Sequence, residues 1–87
     1  MKNLLAAGAV ILGKLNLTEG AMAGYNPEFQ IPLNPWNTGR WSGASSSGSG
    51  VATAAGLCFG SLGSDTGGCR PFPAAALGPG ATQPTWG

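Results

Sequence analysis

Hydrophobic positions along the 87-residue chain are separated by stretches that neither a helix nor a strand would choose. The run Leu4 to Leu12 is almost wholly apolar, and it reads as the end of a helix running into a short buried strand at Val10 to Leu12. From Tyr25 to Arg40 the pattern dissolves. Pro27, Pro32 and Pro35, interleaved with Asn26, Asn34 and Asn37, forbid a helix and disfavour a central strand. That stretch predicts an extended, turn-rich connector, with Trp36 and Trp41 available to pin it down. Gly43 to Gly50 is a run of glycine and hydroxyl residues, and Gly63 to Cys69 is a second one. Glycine weakens regular elements and serine competes for backbone hydrogen bonds, so both runs read as loops. Between them Val51 to Phe59 is apolar and built mostly of small residues, the pattern of a buried helix leading into a short strand. That segment would bring the two loops together, with Cys58 as buried core. From Pro71 onward Pro73, Pro79 and Pro84 break the chain again, leaving one possible helix turn at Ala74 to Ala76. No internal repeat is present.

Composition turns this from a domain into a part of one. Only 8% of the residues are charged while 43% are hydrophobic, against roughly a quarter charged in an ordinary soluble domain. With 16 Gly and 7 Pro as well, the chain has the composition of an interior and is expected to belong to a larger fold. Its net charge of +1 comes from scattered Lys2, Lys14, Arg40 and Arg70 against Glu19, Glu28 and Asp65, which leaves nucleic acid without a basic patch to bind. Two cysteines and no histidine supply neither a disulfide scaffold nor a zinc set, and a reducing, cytoplasmic compartment fits best. The alternative is secretion. Lys2, the apolar run and Ala21-Met22-Ala23 as an A-x-A cleavage site resemble a signal peptide, and Asn16-Leu17-Thr18 fits a glycosylation sequon. The run is too short to span a bilayer.

The absence of histidine removes the common serine and cysteine triads, and there is no G-x-S-x-G elbow. The Gly/Ser run also lacks the Gly-Lys-Ser/Thr ending of a phosphate-binding loop. Hydroxyl and lysine chemistry remains: a serine can relay a proton between a nucleophile and a neutral, desolvated lysine. Gly67-Gly68-Cys69 can turn successive N–H groups into one concavity that holds an oxyanion. The same residues can equally make a plain tight turn, with Asp65 capping it.

At these two runs the chain resembles the amidase signature family, whose fingerprint is G-G-S-S-G-G-S, an apolar helix, then G-S-D-T-G-G-S. The resemblance extends over Met1 to Gly68, including Ala6 to Glu19 and Asn34-Pro35-Trp36-Asn37. It implies an α/β fold, a mixed sheet wrapped by helices, with residues 1–87 a partial amidase domain and 71–87 a divergent tail. It also implies hydrolysis of carbon–nitrogen bonds in small amides by a Ser, cis-Ser, Lys triad through an acyl-enzyme, without metal or cofactor. Carried over, the bridging serine is Ser45, with a cis peptide bond to Ala44, and the nucleophile position is Cys69, which follows Ser45 by 24 residues. The oxyanion donors become the N–H groups of Thr66, Gly67, Gly68 and Cys69, with Ser46 and Asp65 in supporting places.

The chain departs from the family in three ways. Cysteine stands where the family has its nucleophilic serine. The family's base is a lysine upstream of the matching region, and Lys14 aligns with a different, noncatalytic position. After Cys69 the family reads I-R-F-P-A-A, whereas Arg70-Pro71-Phe72-Pro73 displaces the arginine, and Leu77 to Gln83 diverges before Pro84-Thr85 recovers. The expectation is a fragment of an amidase, inactive alone, whose partners are a small amide substrate and the rest of an amidase chain, with no membrane or nucleic-acid role. The alternatives are a noncatalytic or secreted Gly/Ser-rich structural protein, or a fragment like the A-subunit of a glutamine amidotransferase.

Overall fold

In a computed structural model, which describes residues 1–22, 24–65 and 67–84, the described residues form three α-helices and one 3₁₀ turn. Helix α1 spans Lys2–Ala6, the 3₁₀ turn Glu19–Ala21, α2 Ser47–Ala54 and α3 Pro71–Leu77. Among the described residues there is no strand. The stretch Val10 to Leu12 expected as a strand lies in no regular element, and the strand expected after the helix is a bend at 57–59. The physical reason is that a strand needs a neighbour to take its backbone hydrogen bonds. Neither stretch takes part in a backbone ladder among the described residues.

Helix α2 begins inside the Gly/Ser run that its composition marks as a loop. Two glycines explain the difference. A side chain on Gly50 would lie 2.8 Å from both Leu77 and Pro73, and one on Gly48 would lie 2.3 Å from the carbonyl oxygen of Asn16. The glycines are therefore helical residues chosen for close approach. They let α3 pack against one side of α2 and let the chain at 16–18 run against its first turn. Gly48 N–H donates to Asn16 O at 2.9 Å, and Thr18 N–H donates to Ser45 O at 3.2 Å.

Helix α3 is longer than the single turn expected at Ala74 to Ala76. Pro71 stands in its first turn, where a missing N–H costs nothing, and Gly78 ends it in the left-handed conformation, φ 89°. Its last carbonyls are satisfied from outside the helix. Trp36 Nε1–H donates to Leu77 O at 2.7 Å, and Asn34 Nδ2–H reaches Ala76 O and Trp41 O, each at 3.4 Å. The proline-rich connector is thus tied down by Trp36 as expected and by Asn34, which is buried. Asn26, Asn34 and Asn37 each accept the N–H two residues on, at 2.9, 3.0 and 2.9 Å, so asparagine side chains make the turns between the prolines. Trp41 keeps most of its ring exposed.

Among the described residues the buried apolar side chains are Ala52, Pro73 and Leu77, whereas Thr18, Asn34, Ser42, Ser45, Ser46 and Ser47 are buried polar ones. Residues 55–57 and Phe59 are exposed, and Cys58 is half-buried rather than core. The centre of the molecule is a hydrogen-bonded seam of hydroxyls and amides. Ala23, the last residue of the A-x-A site, lies outside the described residues. No helix among the described residues is long and apolar enough to cross a membrane.

Candidate active site

Ser46, Ser49 and Thr53 follow one another at intervals of three and four residues, which places them on one face at the start and along the length of α2. Each finds a partner in residues 61–64. Ser46 Oγ donates to Ser64 O at 3.4 Å, Ser49 Oγ to Leu62 O at 2.7 Å, and Ser61 Oγ donates to Ser49 O at 2.8 Å while lying 2.8 Å from Thr53 Oγ1. The two Gly/Ser runs are thereby laid side by side, with helix and loop antiparallel. The hydroxyls, rather than burial of residues 55–59, bring them together. Their spacing is the signal in the sequence that identifies this face.

On the other flank of the first run, the Tyr25 hydroxyl bridges the Gly43 carbonyl at 3.0 Å and the Ser47 hydroxyl at 2.8 Å. Tyr25 is a residue of the site that reading by motif passes over. Ser42 Oγ donates to Pro32 O at 2.6 Å, anchoring the connector immediately before the run. Between these anchors the Ala44–Ser45 peptide bond is cis. Ser45 is fully buried, and its Oγ has no hydrogen-bond partner among the described residues. Buried hydroxyls almost always have one.

The second run closes on itself through Asp65. Its Oδ1 accepts N–H groups from Gly67 at 3.1 Å, Gly68 at 2.6 Å and Cys69 at 3.2 Å. Three consecutive amides converging on one oxygen form an anion-holding nest, whose present occupant is the chain's own carboxylate. Asp65 therefore caps the turn. The Gly68 N–H, first, then those of Gly67 and Cys69 and the charge of Arg70 hold its carboxyl below the usual aspartate range, against the opposing effect of burial. Gly68 adopts φ 106°, and a side chain there would strike the Phe72 ring at 2.8 Å. Cys69 is half-buried, and no disulfide joins it to Cys58. Thr66, the remaining expected oxyanion donor, lies outside the described residues.

Arg70 leaves the loop on the side of the first run. A side chain on Gly63 would meet Ser46 Oγ at 2.8 Å and Arg70 Cγ at 3.1 Å, so the two runs and Arg70 share one small space. It opens into a cleft of about 270 Å³ lined in part by Ser46, Ser49, Gly63 and Arg70. The guanidinium donates through Nη2 to Thr82 O at 2.5 Å, which ties the divergent tail to the site. Among the described residues no group of acidic, cysteine or histidine side chains is arranged to hold a metal ion.

The family model described as Amidase matches residues 1–87, the whole chain. A protein of Mycobacterium tuberculosis (strain H37Rv) provisionally named amidase AmiD is 62% identical over 84 residues, which are 97% of this chain and 18% of that protein. The glutamyl-tRNA(Gln) amidotransferase A-subunit of Prochlorococcus marinus is 49% identical over 88 residues, 99% of this chain and 18% of its own length. Its counterpart in Solidesulfovibrio magneticus is 47% identical over 89 residues, again 18% of its length. The chain thus spans about a fifth of the length of the curated relatives it matches. No solved structure matches it.

Proposed function

The chain belongs to the amidase family, and from that membership we propose that it carries the nucleophile and proton-relay part of an amide-hydrolysing site, acting on small carbon–nitrogen substrates. The observation that carries this reading is the buried Ser45 hydroxyl. It is left without a partner among the described residues, in the residue next to Ser46, whose own hydroxyl reaches the second loop at Ser64 O. Burying a hydroxyl unsatisfied costs roughly 1–3 kcal/mol, which a fold tolerates where the group has a task.

In this reading the Cys69 sulfur attacks the amide carbonyl, forming a carbon–sulfur bond. The thiol proton passes through the Ser45 hydroxyl to the leaving nitrogen as the carbon–nitrogen bond breaks. Water then cleaves the thioester, releasing the acid and restoring the thiol. The developing oxyanion takes the nest formed by the Gly67, Gly68 and Cys69 amides, joined by Thr66 in the family pattern. Asp65 must yield that place, so its carboxylate orders the loop between turnovers. Ser46 fixes the relay serine through the second loop. The base that draws the proton from Ser45 is a lysine in the family pattern, and neither Lys2 nor Lys14 stands at its position. The residues described here supply nucleophile, relay and cradle, and the chain alone is expected to turn over no amide. The 62% identity to the AmiD relative, against 47% and 49% to the two amidotransferase relatives, favours a plain amidase over a transamidating one.

The test is a chimera in which this chain replaces the matching segment of the mycobacterial relative, assayed with a chromogenic anilide and a panel of small amides. Turnover is expected in the parent chimera. It should fall by roughly a hundredfold or more with Ser45→Ala, a loss typical of removing a positioned proton-transfer group, and vanish with Cys69→Ala. Turnover that survives either change at the parent rate refutes the assignment.

A further inference from the structure

The Ser45 hydroxyl is buried with nothing of its own to aim it. Its residue is fully inaccessible, and among the described residues its Oγ makes no hydrogen bond. A serine has one heavy-atom torsion, so the place of its oxygen follows from the backbone that carries it and from the rotamer its surroundings leave open. Whatever holds residues 43–47 therefore holds this hydroxyl. Thr18 N–H donates to Ser45 O at 3.2 Å, and Ser46 Oγ donates to Ser64 O at 3.4 Å. Each of these bonds grips one point. The Tyr25 hydroxyl grips two, reaching Gly43 O at 3.0 Å and Ser47 Oγ at 2.8 Å. Those residues lie two before and two after Ser45, so the phenol oxygen closes a bracket around it.

The bracket is shut off from water and backed by a helix. Gly43, Ser45 and Ser47 are buried, and Tyr25 is half-buried. On the side of α3, a side chain on Gly43, which adopts φ 84°, would lie 2.7 Å from Pro73 Cα. A phenylalanine in place of Tyr25 fills the same volume but leaves a buried carbonyl and a buried hydroxyl without that partner. Buried polar groups rarely stay unpaired, so the segment between them shifts to pair them elsewhere.

We propose that Tyr25 is a positioning residue for the amide chemistry: by holding Gly43 and Ser47 together, its phenol sets where the Ser45 hydroxyl stands relative to Cys69. In this role it acts through the backbone of Ser45 and touches none of the reacting atoms. The proposal rests on the reading of Ser45 as the relay, and it adds a residue that lies in neither Gly/Ser run.

The test uses the chimera of this chain with the mycobacterial relative, carrying Tyr25→Phe, Ser45→Ala or both. A relay out of place transfers its proton less often while the substrate binds as before, and a misplacement of about 1 Å can cost on the order of a hundredfold. Tyr25→Phe should therefore lower kcat on the order of tenfold and leave KM within about twofold. In the Ser45→Ala background the same change should cost nothing more, because no relay remains to be misplaced, a coupling that independent losses do not show. Ser42→Ala is the control. It deletes a neighbouring hydroxyl bond, Ser42 Oγ to Pro32 O at 2.6 Å, that anchors the connector without bracketing Ser45, so its cost should be the same in both backgrounds. In the 87-residue chain, the Hα–Hβ couplings of Ser45 give a readout independent of turnover: they should report one rotamer in the parent and in Ser42→Ala, and change in Tyr25→Phe. Parental kcat in Tyr25→Phe overturns the proposal. So does a loss carried by KM, an equal fractional loss with and without the Ser45 hydroxyl, or Ser45 couplings that Tyr25→Phe leaves unaltered. Any of these outcomes leaves the relay reading standing where Ser45→Ala removes turnover, whereas turnover that survives Ser45→Ala refutes that reading itself.

Discussion

Gly48→Ala should destabilise the chain even though it replaces a glycine in a helix. By helix propensity alone the substitution gains up to about 1 kcal/mol, and less in a first turn. Against this, the new Cβ would lie 2.3 Å from the oxygen and 2.7 Å from the nitrogen of Asn16. These are backbone atoms, so no rotamer relieves the clash and the whole 16–18 segment must retreat. Two hydrogen bonds go with it, Gly48 N–H to Asn16 O and Thr18 N–H to Ser45 O, each contributing roughly 0.5–1.5 kcal/mol. The net loss is about 1–2 kcal/mol, close to a tenfold change in the opening equilibrium. Amide exchange at Thr18 measures it directly, and protection should fall on the order of tenfold. Gly60→Ala is the control. Nothing lies within 4 Å of a Cβ at Gly60, so the change should be neutral or stabilise by roughly 0.4–1 kcal/mol through the unfolded chain. If Gly48→Ala protects Thr18 as well as the parent does, or if Thr18 is unprotected in the parent, the packing argument for the Gly/Ser helix fails.

Leu77→Ala removes the largest fully buried side chain among the described residues and should cost roughly 2–5 kcal/mol, read as lost protection at Gly78. Phe72→Ala, at an exposed ring on the same helix, should cost far less, and equal losses would contradict the packing of α3 on α2. For Asp65 the folded carboxyl titrates below the ordinary aspartate value, so its stabilisation of the second loop is present above the unfolded pKa and disappears as pH falls through the lower folded one. The Gly68 amide resonance should therefore titrate with a midpoint below that of an ordinary aspartate and become flat in Asp65→Asn; a midpoint at or above the ordinary value would show that the three amides do not hold the carboxylate. Trp36→Phe deletes the indole donor to Leu77 O and should weaken the α3 terminus by about 0.5–1.5 kcal/mol, seen as faster exchange at Gly78 than at Ala55.

The two Gly/Ser runs and the turns around them were readable along the chain because each depends on residue type. Glycine and hydroxyl runs mark where backbone approaches backbone. Asn26, Asn34 and Asn37 among prolines mark turns, and Asp65 before Gly67-Gly68 marks a carboxylate that can cap them. Helix α3 was equally accessible, since Pro71 and Gly78 bracket it by the rule for helix ends. The divergence of the tail from the family pattern obscures that bracket. The first turn of α2 was not legible, for a physical reason: propensity opposes glycine and serine in a helix, and only contact with Asn16, Pro73 and Leu77 reverses the sign.

The sequence carried the resemblance to the family, the two runs and their spacing, and the expectation of an interior-like chain belonging to something larger. Tertiary structure alone decided that hydroxyls at 46, 49 and 53 clasp the second loop, that the amides after Asp65 close on that carboxylate, and that Val10 to Leu12 lies open. Residue types record what each segment is able to satisfy locally. Which donor meets which acceptor, and which apolar face finds no cover, depends on distances between segments far apart in the chain.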